Sequence, residues 1–162
     1  MNDRFDDDST AFAQIERQFV RDVVGVADFG WVSFDHPSPR NPLTVPLAEA
    51  TVTLISTAGA HLPDERPLGA GGHASLVRSD ADVQLSHVGY DTEAAMQDPD
   101  VVYPVRTLQR LADEGVIGAL APTVISTMGF VPNGQRLFER AVPSAIERIH
   151  DEQAHLALLV PA

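Results

Sequence analysis

The sequence predicts one α/β domain, in which helices flank an open and mainly parallel sheet. Short runs rich in β-branched and apolar residues alternate with stretches whose apolar residues recur every three or four positions, as in βαβ units. The chain has 162 residues, of which 44% are hydrophobic, which is enough for one domain with a sizeable core. We expect residues 9–162 to form this domain and residues 1–8, with four aspartates, to be a disordered acidic tail.

The N-terminal part is predicted to contain one helix and a proline-rich connector. One apolar stripe at helical spacing follows Ser9, and its members are Phe12, Ile15, Phe19, Val23 and Val26. Gly25 and the segment 28–30 mark its end. Four prolines between residues 34 and 46 preclude a regular helix or a paired strand there. A short turn over residues 43–49 is expected to lead into the first strand.

Strands and helices are predicted to alternate over the rest of the chain. The strand candidates are residues 51–55, 74–78, 83–86, 116–121, 124–130 and 156–160. A helix is expected from Pro104 to Gly115, and a last helix from Gln135 to Gln153, where Pro143 predicts a kink or two segments. Because residues 156–160 are continuously apolar, we expect that strand to be buried on both faces.

Composition excludes several classes of partner and chemistry. The formal net charge is −12 and all 11 basic residues are arginines, whereas nucleic acids and anionic membranes require cationic patches, so we expect neither as a partner. The absence of lysine excludes a Schiff base, and the absence of cysteine excludes disulfides, thiolate metal sites and cysteine nucleophiles within these residues.

Sequence patterns of targeting and of cofactor binding are also absent. No apolar run approaches the roughly 20 residues that span a bilayer, and the acidic N-terminus has no apolar signal region, so we expect a cytoplasmic protein. Neither the Rossmann nor the P-loop glycine pattern occurs, and we expect no cofactor.

Two histidines that follow predicted strands are the first candidates for chemistry. His61 comes shortly after strand 51–55, and His87 follows strand 83–86. Ligands of open α/β sheets bind at the carboxyl ends of strands, and an imidazole titrates near neutral pH, which suits a proton donor or a carboxylate-binding group. The alternative for His61 is a loop histidine that is hydrogen-bonded to the backbone.

A phenol and a carboxylate lie close behind His87. Tyr90 and Asp91 could help His87 to orient a small polar substrate, or Asp91 could fix the tautomer of the imidazole. The alternative is a capped turn in which Asp91 accepts backbone amides. The catalytic candidates are therefore His61, His87 and Asp91.

Small residues at strand ends complete the candidate site. Thr57 and Gly59 lie in the tight exit of the first strand, and Met128 with Gly129 could line a pocket beside it, although core packing is the alternative for Met128. The substrate-binding candidates are Thr57, Gly59, Tyr90, Met128 and Gly129. No Gly-x-Ser-x-Gly elbow occurs and the histidine spacing matches no zinc pattern, so we expect neither a serine hydrolase nor a bound metal.

Several short stretches, in order over residues 46–162, match one family pattern. They are Leu54–Leu62, Ser86–His87, Tyr90–Asp91, Asp98, Val101–Pro104, Leu108, Leu111–Ala121, Met128–Gly129 and Leu158–Pro161. This ordered set resembles the selenoprotein B and D-proline reductase-like proteins of the glycine, sarcosine and betaine reductase group. The family usually has His-x-His-Tyr-Asp where this chain reads His87-Val88-Gly89-Tyr90-Asp91, so Gly89 replaces a second histidine.

The resemblance implies reductive cleavage of a carbon–nitrogen bond in a small amine such as glycine, betaine, sarcosine or a D-proline-like compound. The family's electrons come from dithiols, and its strand equivalent to 156–160 leads into a selenocysteine or cysteine. This sequence ends at Ala162, where that residue would follow. Two explanations follow: the chain is shortened, for example at a selenocysteine codon read as stop, or it is a cysteine-free relative with a different or lost activity.

Three functional hypotheses result. The first is a component of such a reductase, inactive in this step without the selenol or thiol, in which His61, His87, Tyr90 and Asp91 bind and protonate the substrate. The second is a non-catalytic domain that binds a small ligand or serves as a subunit of a larger complex. The third is a hydrolase or lyase with His87 as base and Asp91 as orienter. The expected partners are a small amino-acid-like substrate and, in a homo- or hetero-oligomer, other reductase components.

Overall fold

β1 (Thr51–Ser56), the first strand of the sequence prediction, lies at the centre of the main sheet. The computed structural model describes residues 11–25, 27, 36–39, 41–89 and 91–162. The predicted tail 1–8 and the site candidate Tyr90 lie outside the described residues. The other strands are β2 (Ala60–His61), β3 (Ala74–Arg78), β4 (Gln84–Leu85), β5 (Ala119–Leu120), β6 (Thr123–Thr127) and β7 (Leu156–Val160).

Parallel pairing dominates the five-stranded main sheet, as predicted. β7 pairs with one edge of β1 from Val52 to Ser56, so β5 and β6 share the other edge, β5 at the start of β1 and β6 at its end. β3 runs antiparallel to β6 and extends that side of the sheet. β2 and β4 form a separate antiparallel pair. The fold class of the sequence prediction is therefore confirmed.

Helices connect and flank these strands. They are α1 (Ala11–Phe19), which continues as a π-helix over Val20–Val24, α2 (Glu93–Gln97), α3 (Val105–Asp113) and α4 (Gly134–Asp151). Short 3₁₀ turns occupy Leu47–Glu49 and Pro99–Val101. α4 is one helix with Pro143 inside it, so the predicted alternative of two segments is wrong.

The predicted helix at the N-terminus is present, but its apolar stripe is not buried among the described residues. Ile15, Phe19 and Val23 are 69%, 54% and 69% exposed. The helix ends at Gly25, whose φ of +80° lies in the left-handed region that glycine adopts without strain.

The prediction that residues 156–160 are buried on both faces is wrong. β7 pairs only with β1 among the described strands, and Leu156, Leu158 and Leu159 are 42%, 39% and 68% exposed. A continuous apolar run is also compatible with an edge strand, because periodicity does not reveal whether a neighbour covers each face. β1 and β6 are the buried strands instead: Val52, Thr53 and Leu54 of β1 are each at most 2% exposed, and all five residues of β6 are buried.

The core lies around β1, β6 and the segments that cross them. Its buried apolar members are Val52, Leu54, Ala58, Ala60, Leu85, Tyr103, Leu108, Ile117 and Val124. Ser56 at the end of β1 donates its hydroxyl to the carbonyl of Val102 at 2.7 Å, and its oxygen accepts from the amide of Ala58 at 3.1 Å. These bonds satisfy polar groups where the chain leaves the sheet.

Candidate functional site

The exit of β1 is tied to the residues that follow β7. The amide of Thr57 donates to the carbonyl of Val160 at 3.1 Å, and the amide of Ala162 donates to Thr57 Oγ1 at 2.8 Å. Thr57 Oγ1 also lies 3.4 Å from the carbonyl oxygen of Ala162. The hydroxyl of Thr57 is therefore fixed where the carboxyl ends of two parallel strands meet.

Gly59 brings the exit of β4 against the exit of β1. Its φ is +66°, and a Cβ at this position would overlap the carbonyl oxygen of Ser86. The Gly59 amide donates to the carbonyl oxygen of Thr127 at 2.9 Å, and the Gly59 carbonyl oxygen accepts from the Ser86 amide at 3.3 Å. Only glycine combines this backbone conformation with so close an approach, so this residue joins the ends of β1, β4 and β6.

His61 is a buried residue with both ring nitrogens hydrogen-bonded. It is 2% exposed, its Nδ1 lies 2.8 Å from the carbonyl oxygen of Leu62, and its Nε2 lies 2.8 Å from Ser86 Oγ. A carbonyl oxygen only accepts, so Nδ1 holds the proton of the neutral ring and Nε2 accepts from the Ser86 hydroxyl. His61 thus anchors the residue that precedes His87.

His87 holds its proton on the opposite nitrogen. The amide of Gly89 donates to His87 Nδ1 at 3.0 Å, so the neutral ring bears its proton on Nε2. Partial burial disfavours the charged imidazolium and lowers the pKa of His87 from its usual 6.5. At neutral pH the ring is therefore a hydrogen-bond donor through Nε2.

The positions around Gly129 show that four chain segments converge. A Cβ on Gly129 would lie 2.7 Å from His87 Nε2, 2.7 Å from the carbonyl oxygen of Ala162 and 3.2 Å from Thr57 Oγ1. We call this set (Thr57, His87, Gly129 and Ala162) the strand-end junction. It lies at the carboxyl ends of β1, β4, β6 and β7, which is where open α/β sheets bind ligands.

The remaining candidates have other surroundings. Met128 is 2% exposed and forms an isolated antiparallel β-bridge with Ala58, which agrees with the core-packing alternative. Asp91 is exposed, and its Oδ1 accepts from the amide of Glu93 at 3.0 Å, which is the capped-turn alternative. The catalytic roles of His61, His87 and Asp91, and the binding roles of Thr57, Gly59, Met128 and Gly129, stay predictions.

Two residues of this region were not singled out from the sequence. Ser86 bonds to His61 across 25 residues of chain, and Ala162 bonds to Thr57 across 105. A serine directly before a candidate histidine was the available signal for Ser86. Nothing in the sequence pairs Ala162 with Thr57, because that contact depends on the order of the strands.

The described part of the chain contains no group of three or more histidine or acidic side chains placed to hold a metal ion. Its helices are also too short or too polar to cross a membrane. The groups that meet at the strand-end junction are the imidazole of His87, the hydroxyl of Thr57 and backbone groups of Gly129 and Ala162.

The chain is similar to components of amino-acid reductases. The family model described as glycine/sarcosine/betaine reductase selenoprotein B matches residues 72–151, which include His87, Asp91 and Gly129. D-proline reductase subunit gamma of Acetoanaerobium sticklandii is 30% identical over 142 residues, which are 85% of this chain and 59% of that protein.

Two further relatives belong to related complexes. Glycine reductase complex component B subunit gamma of Symbiobacterium thermophilum is 30% identical over 131 residues, 72% of this chain and 30% of that protein. Sarcosine reductase complex component B subunit beta of Peptoclostridium acidaminophilum is 30% identical over 102 residues, 56% of this chain and 23% of that protein. The chain thus spans less than two thirds of the length of these relatives. No solved structure gives a significant match.

Proposed function

Because the chain belongs to the glycine/sarcosine/betaine reductase selenoprotein B family, we propose that it supplies the substrate-binding part of a cytoplasmic, thiol-dependent reductase. The substrate is a small amine of the class to which glycine, sarcosine, betaine and D-proline belong. A dithiol gives two electrons and two protons, and the carbon–nitrogen bond breaks. The carbon gains one hydrogen, and the departing amine nitrogen gains the other. The dithiol becomes a disulfide.

The observation that supports this proposal is the strand-end junction. His87 Nε2, Thr57 Oγ1 and the carbonyl oxygen of Ala162 all lie within 3.2 Å of the position that a Cβ on Gly129 would take, so three polar groups converge at the strand ends. In this proposal the Nε2 proton of neutral His87 donates to the substrate carboxylate. A charged acceptor makes such a bond stronger than one between two neutral groups.

His61 and Asp91 act in this proposal as positioning residues. His61 is too buried to touch a substrate in solution, but its bond to Ser86 fixes the backbone that leads into His87. Asp91 caps the start of α2, which follows the same loop. A substitution of His61 should therefore displace His87 and so shift the pH dependence of kcat/KM, in addition to any effect on the free energy of unfolding.

The electron-transferring group comes from outside residues 1–162, because these residues contain no cysteine. A thiolate or selenolate is the nucleophile that such chemistry needs, and hydroxyls such as Thr57 are not ionised near neutral pH. Because the relatives are named as subunits of reductases and reductase complexes, we propose that this chain works in a hetero-oligomer.

The test is thiol-dependent turnover in the native complex that contains this chain. With dithiothreitol as donor, at least one of glycine, sarcosine, betaine and D-proline should be cleaved. His87→Asn should lower kcat/KM by about tenfold or more, because it removes a hydrogen bond to a charged group. The control is His150→Asn on the exposed face of α4, which should leave kcat/KM unchanged. Turnover of none of the four amines, or full activity of His87→Asn, contradicts the proposal.

The lack of cysteine favours one alternative, a subunit that binds the amine without reducing it. Saturable binding of one of the four amines, together with no thiol-dependent turnover by the complex, would identify this second function.

A further inference from the structure

β7 leaves one of its two edges unpaired at the side of the main sheet. It pairs with β1 and with no other strand in the described part of the chain. Three of its five side chains are exposed leucines, and because successive side chains alternate between the two faces of a sheet, they lie on both faces. An unpaired edge presents N–H and C=O groups to which another polypeptide can add a strand.

The charge of β7 distinguishes it from β3, the strand at the opposite side of the sheet. β3 includes Arg78, which is ion-paired with Asp80, and charged residues of this kind protect an edge strand from further pairing. β7 reads Leu-Ala-Leu-Leu-Val and has no charged residue, although the whole chain has a net charge of −12. The free edge of β7 therefore fits an uncharged, apolar strand and offers no counter-charge to a charged one.

The backbone groups that face this free edge belong to Ala157 and Leu159. The Val160 carbonyl accepts from the Thr57 amide at 3.1 Å, so the backbone groups of Val160 point toward β1. Neighbouring residues of a strand direct their N–H and C=O groups to opposite edges. Leu158 therefore also faces β1, whereas two N–H and two C=O groups, those of Ala157 and Leu159, point away from it.

A second copy of β7 satisfies all four of these groups in one antiparallel register. When Leu158 lies opposite Leu158 of the second copy, Ala157 lies opposite Leu159 of that copy, and such a pair exchanges two N–H···O=C bonds. The two-fold axis repeats the pair, which gives four bonds. A shift by two residues would place Ala157 opposite Pro161, which has no N–H for the Ala157 carbonyl.

The side chains of β7 are complementary in the same register. On one face the small Ala157 lies opposite the larger Leu159, and on the other face Leu156 lies opposite Val160, with two Leu158 side chains at the axis. All of these cross-strand pairs are apolar, and none brings like charges together. The strand is therefore complementary to itself, which is the requirement of a two-fold interface.

We propose that two copies of this chain associate through the free edges of β7 about a two-fold axis, so that their main sheets join into one. The interface is independent of the proposed reductase function, because Leu156–Val160 include no residue of the strand-end junction. One short strand per copy is small compared with the roughly 800 Å² that each partner buries in a stable complex. The dimer therefore depends on concentration, with a Kd of about 10–100 μM.

The first test is sedimentation velocity of the full chain from about 1 to 500 μM. We expect a monomer–dimer equilibrium. Leu159→Lys should raise the Kd by about tenfold or more, because the interface would take its ammonium group out of water. The matched control is Leu76→Lys on β3, since Leu76 is 40% exposed and the net charge changes equally. It should change the Kd by less than about twofold.

The second test uses the absence of cysteine from the chain to report the register. Leu158→Cys places two thiols across the axis, with Cα atoms about 4.5 Å apart, which suits a disulfide. This variant should form a covalent dimer when its thiols are oxidised in air. Leu156→Cys is the control on the same face, because its two Cα atoms would lie about 14 Å apart, and it should stay unlinked.

Several outcomes would overturn the proposal. They are a chain that stays monomeric up to about 500 μM, an equal effect of Leu159→Lys and Leu76→Lys on the Kd, and equal cross-linking of Leu158→Cys and Leu156→Cys. A different occupant has its own signature in hydrogen exchange. If the Ala157 and Leu159 amides are protected only in a complex with another subunit, that subunit covers the edge instead of a second copy.

Discussion

The two histidines near the ends of β2 and β4 have opposite tautomers because their neighbours differ. The Leu62 carbonyl accepts from His61 Nδ1, and the Gly89 amide donates to His87 Nδ1. His61 therefore turns its lone pair toward Ser86, while His87 presents an N–H at Nε2. This difference suits His61 to holding the loop and, in the proposed function, His87 to binding the ligand.

The lowered pKa of His87 predicts how stability depends on pH. Between the folded-state pKa and the usual 6.5, the unfolded chain binds more protons than the folded one, so the free energy of unfolding falls as pH falls through this window. Above pH 6.5 the imidazole of His87 is neutral in both states, so the free energy of unfolding no longer depends on pH through this residue. We expect the gap in unfolding free energy between the native chain and His87→Asn to be smaller at about pH 5 than at about pH 7.5.

Urea titrations at both pH values measure this gap, and His150→Asn serves as the exposed control. A gap that is equal at the two pH values, or larger at the lower one, contradicts the assignment.

Gly59 should be harder to replace than Gly115, although both glycines have a positive φ. Gly59→Ala adds a clash with the Ser86 carbonyl to the strain of a left-handed conformation, so we expect a loss of about 3 kcal/mol or more. Gly115→Ala is the matched control, because Gly115 has a φ of +71° with no atom within 4 Å of its Cβ position, and should cost only about 1 kcal/mol. Equal losses in chemical denaturation would show that the close approach to Ser86 does not matter.

At the scale of the elements, β1 and β7 pair side by side but contribute unequally to stability. Leu54 on β1 is fully buried and Leu159 on β7 is 68% exposed. We expect Leu54→Ala to cost about 2–5 kcal/mol, because it leaves a cavity, and Leu159→Ala to cost about 0.5 kcal/mol or less. Comparable losses in the two variants would mean that β7 is covered as well as β1 is.

Pro143 lies inside α4 and lowers the stability of this helix. Pro143 has no amide to donate to the carbonyl of residue 139, and its ring crowds the preceding turn. Pro143→Ala restores the bond but frees the unfolded chain, so we expect a net gain of about 1–2 kcal/mol in unfolding free energy. Glu147→Ala at another exposed position of α4 should stay within about 0.5 kcal/mol. A destabilised Pro143→Ala would show that the chain needs the proline's local geometry.

Across the whole molecule, local sequence patterns predicted the strands and helices better than they predicted which distant residues pair. β-branched runs and helical spacing located β1, β3, α3 and α4, because those signals lie within a few residues. The edge position of β7 could not be predicted, since an apolar run does not report its neighbours. The Ser86–His61 bond was also out of reach, because it spans a glycine-rich loop.

The site shows the same division. The rule that ligands bind at the carboxyl ends of strands was sufficient to select Thr57, His87 and Gly129, which the structure brings together. The rule did not reveal that His61 faces inward, because burial depends on how β2 pairs with β4.

The central claim is that the strand-end junction binds a small amine with a carboxylate. The most direct measurement is a titration of the isotope-labelled chain with glycine, sarcosine, betaine and D-proline, followed at the His87 ring and Gly129 amide signals. At least one amine should shift both signals saturably, and His87→Asn should weaken that binding by about tenfold. If none of the four moves these signals, the claim is contradicted.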